Sequence, residues 1–489
     1  VNFLFGSFYI PILGVNFPII VLWLIIGALF CTFYFGFVNL RYFGTSVNIL
    51  RGKYKNETLE IEEDVVHTFD GDIIGTIRDE SKKGEVSHFQ ALTTAISGTV
   101  GLGNIAGVAV AISIGGPGAT FWMIVAGFFG MASKFAECTL GVKYREVDEN
   151  GKVHGGPMYY LSKGLKEKGF AKLGKILAVI FAVLCVGGSF GGGNMFQSNQ
   201  AYAMFRNTIL DPQNPAVSGW LFGLIIAIVV GVVIVGGIKS IARVTDKIVP
   251  FMIAIYVIAV VYVLAINFNL IPEAIKIIFR GAFEPLGIAG GAVGVILQGF
   301  KRAAFSNEAG VGSASIAHSA VKTNYPASEG LIALLEPFID TIVICTMTSL
   351  LIVISNLDGS ILQYGGNISF DEGVVVTSNA FAKAVSWFPY VLTVSVILFA
   401  FSTMISWSYY GVQAWTFLFG KSKRNEIIYK ILFCLFVIIG ASASLGAVID
   451  FSDAMILSMA FPNFVGLIIL APIVKKELKK YLKNLKSEA

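Results

Sequence analysis

Eleven apolar stretches, each long enough to cross a membrane as a helix, dominate the 489-residue sequence. A membrane helix needs about 20 mostly apolar residues to cross roughly 30 Å of hydrocarbon. Only 14% of the residues are charged, against about 25% in soluble domains. The sequence therefore predicts an all-α polytopic membrane protein with about 11 transmembrane helices. We number the stretches spans one to eleven, at residues 19–40, 91–113, 118–140, 174–204, 217–238, 248–268, 287–317, 329–356, 388–419, 428–449 and 453–474.

The basic residues predict the orientation of the chain. Cytoplasmic segments of membrane proteins are enriched in Lys and Arg. If span one runs inward, 29 of the 36 Lys and Arg residues lie in cytoplasmic segments and four in exterior ones. We therefore expect the N-terminus outside and the C-terminus in the cytoplasm. The basic tail at 475–489 is expected to lie near anionic membrane lipid, and not to bind nucleic acid.

The spans divide into two blocks of five. Spans two to six occupy 91–268, and spans seven to eleven occupy 287–474. Because five is odd, the second block enters the membrane from the opposite face, which is typical of an inverted repeat. The remaining parts are an N-terminal region at 1–90, which combines an interfacial segment, the extra first helix and a cytoplasmic segment, and an extracellular linker at 269–286.

Glycine clusters predict a broken helix at the head of each block. Span two has three glycines among polar neighbours within 97–104. Span seven has glycines at 290–291, 299 and 310–312, with Gln298 and Phe300 beside the central one. Such interruptions are typical of transporter helices that open near the middle of the membrane. Close packing between helices is the alternative explanation for these glycines.

A broken helix supplies the chemistry for an amino acid and a cation. The freed N–H groups carry partial positive charge and suit a carboxylate. The freed carbonyls, with Ser and Thr hydroxyls, suit a hard cation such as Na⁺. In span nine, Ser402 and Thr403 follow Phe399 by three and four residues, so they share one helix face with its carbonyl. The alternative is that each hydroxyl bonds the backbone of its own helix.

Other features narrow the class of protein. The sequence contains no HExxH motif, phosphate-binding loop or GxGxxG fingerprint, which argues against an ATP-driven pump or a membrane enzyme. Nothing in it requires an organic cofactor. An H⁺-coupled carrier, a carrier of another small solute and a channel remain alternatives. Intramembrane charges must face protein or water; for Lys134 we expect an ion pair with Glu137, and for Lys301, Arg302, Glu308 and Asp340 structural or gating ion pairs.

Several stretches resemble blocks of the alanine or glycine:cation symporter family, the sodium:alanine symporters, and the resemblance covers nearly the whole chain. It implies a leucine-transporter-like fold and Na⁺-coupled symport of alanine and/or glycine by alternating access. It also implies a multi-pass protein of a prokaryotic plasma membrane. Two departures are Ile124, where the family has Trp, and a longer segment at 41–90. The matching blocks are 115–123, 130–137, 155–160, 305–310, 337–341 and 401–410.

The resemblance also implies an ion site. Na⁺ would be bound by the carbonyls of Ser97, Val100 and Phe399 and by the hydroxyls of Ser402 and Thr403. Residues 100–104 look like the first broken helix of the neurotransmitter:sodium symporters. On that likeness Asn104 is either a ligand of a second Na⁺ site or a helix-end cap.

We expect the substrate pocket beside this ion site. The carboxylate of the amino acid should meet the backbone amides near 98–101. Met404 and Trp407 would line the end of the pocket that holds the side chain of the amino acid. The predicted substrate-binding residues are Ser97, Gly98, Thr99 and Gly101 from span two, Phe190, Asn194 and Gln197 from span four, Gln298 and Phe300 from span seven, and Met404 and Trp407 from span nine.

Overall fold

The computed structural model describes residues 9–12, 15–53, 84–149, 151–210, 216–284, 291–365 and 373–488. Parts of three sequence-based assignments lie outside these residues. They are the start of the interfacial segment at 1–17, most of the cytoplasmic segment at 41–90, and the end of the linker at 269–286. Gly290, from the first glycine pair of span seven, also lies outside them.

Helices occupy every predicted span. Among the described residues, seven helices are long and apolar enough to cross a membrane, and one bent pair of helices also qualifies. The all-α polytopic membrane architecture is therefore confirmed, whereas the number eleven stays a prediction. Spans one, five and seven correspond to shorter helices. The span helices are Ile19–Tyr34, His88–Thr99 with Gly103–Gly115, Ala119–Lys143, Ala171–Ile209, Gly219–Ile234, Gly237–Ile266, Gly291–Asn307, Pro326–Ser355, Phe388–Phe419, Lys423–Ser442 and Leu445–Glu488.

Short elements connect these helices. Two antiparallel hairpins pair Tyr9–Ile12 with Val15–Pro18 and Glu146–Val147 with Val153–His154. The second hairpin lies between spans three and four, on the predicted cytoplasmic side. The short helices are Val38–Arg41, Phe43–Leu50, Pro157–Tyr159, Tyr160–Gly164, Leu165–Glu167, Phe268–Leu270, Ile271–Phe283, Ala314–His318 and Gly373–Ala384.

The ends of three spans differ from the prediction. The helix of span six begins at Gly237, eleven residues before the predicted 248, because Ile241 and Thr245 in its polar first part are buried by neighbouring helices. Span ten ends at Ser442, not at 449, and the last helix begins at Leu445. The two-residue interruption at 443–444 lies inside apolar sequence, so hydropathy does not reveal it.

Asn199 explains how the chain breaks between spans ten and eleven. The last carbonyls of a helix have no partner within the helix. Asn199, on span four, donates from Nδ2 to the carbonyls of Gly440 at 3.1 Å and Ala443 at 2.7 Å. Ala443 itself is extended, with φ −80° and ψ 159°. A side chain from another span therefore satisfies the end of span ten inside the protein.

Span two is interrupted where its glycines predict. His88–Thr99 and Gly103–Gly115 meet at an angle of 49°. The first half-helix begins with a capping box, in which Ser87 and Gln90 bond each other's backbone N–H groups. Span seven breaks only at the last of its predicted glycine clusters, 310–312: its helix runs unbroken through Gln298 and Gly299 and ends at Asn307. The chain then turns through 308–313 before the short helix Ala314–His318.

Asn199→Ala should destabilise the protein. The substitution leaves two buried carbonyls at the end of span ten without their donor, at a cost of about 1–3 kcal/mol. The melting temperature in detergent should therefore fall. Asn267→Ala is the matched control, because its Nδ2 bonds only the Val263 carbonyl of its own helix. Equal melting temperatures for the two variants would contradict this role of Asn199.

Candidate functional site

The break in span two lies against the middle of span nine. Thr403 donates from its hydroxyl to the Ser97 carbonyl at 2.9 Å, and Ser97 donates from its hydroxyl to the Ser402 carbonyl at 2.6 Å. Ser402 donates to the Phe399 carbonyl of its own helix at 3.0 Å. Four of the five residues predicted to bind Na⁺ therefore meet, although their hydroxyls bond carbonyls of the same cluster.

The donor set of this cluster is neutral and consists of oxygen atoms. Ser97, Ser402 and Thr403 are buried, as is Val100, the fifth predicted ligand. Val100 leaves the helical conformation, with ψ at 87°, because it is the first residue beyond the half-helix. Carbonyl and hydroxyl oxygens suit a hard cation, and they need no deprotonation before they bind it. The cluster fits an alkali cation once the two hydroxyl hydrogens turn away.

A small cavity lies beside the cluster, where the broken spans two and seven meet spans four and nine. Only ≈ 10 Å³ of it is open to the centre of a water-sized sphere, which is about the room that one water molecule needs, so the cavity is nearly closed in this conformation. Phe305 and Ile456 form the apolar part of its lining. The polar and backbone groups at its lining come from Gly98, Thr99, Gly103, Gln197, Glu308 and Trp407.

The amide groups at the break lie slightly later than predicted. Because the first half-helix continues to Thr99, the N–H of Gly98 lies inside it. The N–H groups at the start of the second half-helix are those at 101–103. Gly101 donates to Oδ1 of Asn104 at 2.9 Å, and Leu102 donates to Oε1 of Gln197 at 3.3 Å. Side-chain oxygens thus occupy the positions where an anionic oxygen would be held.

Gly101 permits this close approach of spans two and nine. A methyl group on Gly101 would collide with Oγ1 of Thr403. A methyl group on Gly193, in a π-helical turn of span four, would likewise collide with the indole of Trp407. The sequence therefore uses glycine where the walls of the cavity meet backbone directly.

Asn104 stabilises the break from within. Its Oδ1 accepts the Gly101 N–H, which is the geometry of a cap. Its Nδ2 donates to the Asp340 carboxylate at 2.7 Å and to the Asp340 carbonyl at 3.1 Å. The same carboxylate accepts from the hydroxyls of Ser306 at 2.9 Å and Thr341 at 2.7 Å. Asp340, expected to form an ion pair, is instead held by neutral donors.

Two residues predicted from span seven lie away from the cavity. Gln298 packs against Gly115, and the Phe300 ring is 6.5 Å from that of Trp122. The reason is that span seven opens after Asn307, more than one helical turn later. Phe305 and Glu308 occupy the cavity wall instead. They belong to the family block at 305–310, which is the sequence signal that could have identified them.

Two residues from span four also face elsewhere. Asn194 donates to the Phe433 carbonyl of span ten at 2.7 Å, and the Phe190 ring stacks on Phe436 at 4.4 Å. Asn194 therefore faces span ten, whereas Gln197, three residues later, lines the cavity. Met404 on span nine is fully buried and does not line the cavity.

A chain of buried ionisable groups lies on the predicted cytoplasmic side of the site. Lys134 of span three pairs with Glu336 of span eight at 2.9 Å, and Glu336 also bonds His318. His318 contacts Glu329 at 2.5 Å, and Glu329 bonds His88, the first residue of the broken span two. These contacts connect spans two, three and eight with the segment that follows span seven.

The ion pair expected for Lys134 is wrong, whereas Lys301 and Arg302 form ion pairs as expected. Glu137, the predicted partner of Lys134, accepts instead from Nδ2 of Asn463 at 2.7 Å. The prediction used spacing along one helix, whereas Glu336 approaches from another span. Lys301 and Arg302 both pair with Asp453 of the last helix.

Comparisons with known proteins agree with this architecture. The sequence profile of the family described as "Sodium:alanine symporter family" matches residues 10–489. The sodium/alanine symporter AgcS of Methanococcus maripaludis is 43% identical over 84% of this chain and 88% of its own. The amino-acid carrier protein AlsT of Bacillus subtilis is 33% identical over 96% and 92%. The probable sodium/glutamine symporter GlnT of the same organism is 34% identical over 83% and 80%.

A solved structure shares the fold. The crystal structure of MhsT in complex with L-phenylalanine matches with a TM-score of 0.55 at 17% identity. The match covers 80% of this chain and 98% of that chain. The leucine-transporter-like fold implied by the sequence resemblance is confirmed.

Lys134→Met should strongly destabilise the protein. Removal of one partner from a buried ion pair leaves an uncompensated charge, at a cost of about 3–5 kcal/mol. The double variant Lys134→Met, Glu336→Gln removes both charges and should recover part of the loss. Melting temperatures in detergent measure the difference. A double variant no more stable than Lys134→Met would show that Glu336 is not the relevant partner.

Proposed function

The chain belongs to the sodium:alanine symporter family, and we propose that it carries alanine and/or glycine together with Na⁺ by alternating access. Na⁺-coupled amino-acid symport, with no enzymatic activity, is the function of the chain at the level of its family. The observation that supports the finer assignment is the small cavity at the break of span two, directly beside a cluster of neutral oxygen ligands. No organic cofactor takes part in this mechanism.

In our proposal Na⁺ binds between spans two and nine. The carbonyls of Ser97, Val100 and Phe399 and the hydroxyls of Ser402 and Thr403 provide the ligands. The contact between Thr403 and the Ser97 carbonyl supports this assignment, because it brings oxygens of both spans to hydrogen-bond distance. An ion at this position would hold the half-helix His88–Thr99 against span nine, so that Na⁺ binding and the conformation of the broken helix are coupled.

The carboxylate of the substrate would bind the amides at 101–103. This end of the second half-helix carries partial positive charge. The Leu102 N–H donates to Oε1 of Gln197 over a long distance, 3.3 Å. This N–H can exchange that weak acceptor for the anionic oxygen of the substrate. Substrate binding then replaces an internal hydrogen bond of the empty site with a charge-assisted one.

The walls of the cavity favour a small side chain. Trp407, Phe305 and Ile456 surround the nearly closed cavity together with glycine backbone. One methyl group in an apolar pocket is worth only about 1–3 kcal/mol, so both alanine and glycine fit our proposal. The family relative described as a probable sodium/glutamine symporter indicates that these walls can vary.

The driving force is sufficient for accumulation of the substrate. One charge moved inward across about 100 mV is worth roughly 2.3 kcal/mol, and a tenfold Na⁺ gradient adds about 1.4 kcal/mol. One Na⁺ per substrate therefore supports a gradient of roughly 500-fold.

The multi-pass membrane location follows from the family and the helices. We propose the finer arrangement predicted from sequence: a prokaryotic plasma membrane, with the N-terminus outside and the C-terminus in the cytoplasm. The halves 91–268 and 287–474 would form the two repeats, and the basic tail would contact lipid. Alternating access would then move these repeats relative to each other around the site.

Proton coupling is a second candidate because titratable groups approach the site. Glu308 lines the cavity, and the chain from His88 to Lys134 leads toward the predicted cytoplasmic side. One relative is described as a putative sodium/proton-dependent alanine carrier protein, YrbD of Bacillus subtilis. A pH jump in place of the Na⁺ gradient distinguishes the two modes.

Proteoliposomes that contain the purified protein should accumulate radiolabelled alanine when an inward Na⁺ gradient is imposed. The reason is that Na⁺ entry supplies the free energy for uphill transport. Liposomes without protein and an equal K⁺ gradient are the controls. Equal uptake in K⁺ and Na⁺ would refute Na⁺ coupling, and uptake driven by a pH jump alone would favour the second candidate.

The double variant Ser402→Ala, Thr403→Ala should require at least tenfold more Na⁺ for half-maximal uptake, since it removes two of the five proposed ligands. Ser395→Ala is the control, because Ser395 is also buried on span nine but bonds only the Val391 carbonyl of its own helix. Unchanged Na⁺ dependence in the double variant would remove these hydroxyls from the site.

A further inference from the structure

Glu308 has an unusual backbone conformation at the wall of the cavity. It follows the helix Gly291–Asn307 with φ at 55°. Among the described residues, only Phe37 is another non-glycine residue with positive φ. Side chains rarely adopt this region, and when they do the surroundings enforce it, often at functional sites. The conformation therefore calls for an explanation in terms of what the side chain contacts.

The carboxylate of Glu308 is buried and held by neutral donors. Nε1 of Trp407 donates to Oε1 at 2.9 Å, and the hydroxyl of Ser313 donates to Oε2. Within the described parts of the chain Glu308 forms no ion pair. Lys134 interacts with it electrostatically, but the Lys134 ammonium contacts Glu336. A carboxylate has about four acceptor positions, so capacity remains at both oxygens.

A buried carboxylate without a contacting cation is costly, so the group takes up a proton unless a cationic ligand supplies the charge. The cavity that Glu308 lines also borders the amides at the start of the second half-helix. One cavity therefore has an acidic group at Glu308, which a cationic ligand would keep ionised, and partial positive charge at the break of span two. This pattern is complementary to a zwitterion that has an ammonium and a carboxylate on one carbon.

We propose that Glu308 binds the α-ammonium group of the substrate and thereby restricts transport to amino acids. This inference rests on the proposed function, which supplies the zwitterionic substrate. A 2-hydroxy acid of the same shape carries a net negative charge and cannot neutralise Glu308. The carboxylate then selects against hydroxy acids by repulsion as well as by the missing hydrogen bonds.

The same carboxylate positions the wall of the pocket. Its bond to Trp407 orients the indole, which packs directly on Gly193 in span four. Recognition of the ammonium group and of the side chain therefore share one residue. A test must separate binding of the ammonium from positioning of Trp407.

The experiment measures competition for the alanine site in Na⁺ by alanine and by lactate, its 2-hydroxy analogue. In Glu308→Gln, the amide oxygen can still accept from Trp407, but the charge is lost. Since a hydrogen bond to a charged group is removed, alanine affinity should fall about 10- to 100-fold. Lactate affinity should stay equal or rise, so the preference for alanine falls at least tenfold. Glu137→Gln is the matched control, because Glu137 is an equally buried carboxylate that bonds Asn463 and does not line the cavity.

Two further variants keep the result interpretable. Trp407→Phe removes the indole donor and should weaken alanine binding without loss of the preference over lactate. Glu308→Asp keeps the charge and should keep that preference, which decides the matter if Glu308→Gln does not fold. An unchanged preference in folded Glu308→Gln would overturn the proposal, as would an equal loss of preference in Trp407→Phe or a complete loss in Glu308→Asp.

The proposed function is tested separately by the wild-type protein. If it takes up a different amino acid, that compound and its 2-hydroxy analogue replace alanine and lactate, and the inference about Glu308 is tested unchanged. Wild-type protein that binds alanine in Na⁺ while Glu308→Gln keeps full preference would refute the inference alone. Wild-type protein that binds no amino acid would refute both.

Discussion

The whole arrangement depends on the need to satisfy backbone groups that a broken helix frees inside hydrocarbon, where no water can do so. In span two the freed groups find partners on two other spans and within span two itself. Thr403 bonds the Ser97 carbonyl near the end of the first half-helix, and Gln197 accepts an amide of the second. Asn104 accepts the Gly101 amide and links the break to Asp340. In our proposal a cation and an anion would take the places of these partners. An unbroken helix bonds its own N–H and C=O groups internally, so it has no free backbone groups with which to bind a ligand.

The same constraint connects ligand binding to conformational change. The half-helix His88–Thr99 is held at its first residue by Glu329 and near its last turn by span nine. A movement of this element changes both contacts together. The buried ion pairs from Glu329 to Lys134 give the element a defined resting position, because separation of buried charges is costly. In our proposal a change at the cavity would reach Glu329 and these ion pairs through the half-helix His88–Thr99.

Several features of the site could be predicted, and others could not. The break at 98–103 and the convergence of Phe399, Ser402 and Thr403 followed from glycine clustering and helical spacing. Gln298 was assigned to the cavity because a glycine beside it suggested a break, yet one glycine in a helix does not interrupt it unless neighbouring groups satisfy the freed backbone. Asn194 was assigned by its spacing from Gln197, but residues three positions apart are offset by about 60° around a helix, and Asn194 bonds span ten instead. Glu308 was expected in an ion pair, since sequence shows the charge but not its neighbours.

By itself, the sequence determined that this is a helical membrane protein and that its second span is broken. Hydropathy and length indicate the membrane helices, and glycine spacing indicates the break, because all three are local properties of the sequence. Tertiary structure alone decided which face each polar residue presents and which span supplies its partner. The pairing of Lys134 with Glu336 and not with Glu137 is the clearest case. The physical reason is that buried polar groups are satisfied by whichever partner packing brings within reach, and packing joins residues more than two hundred positions apart.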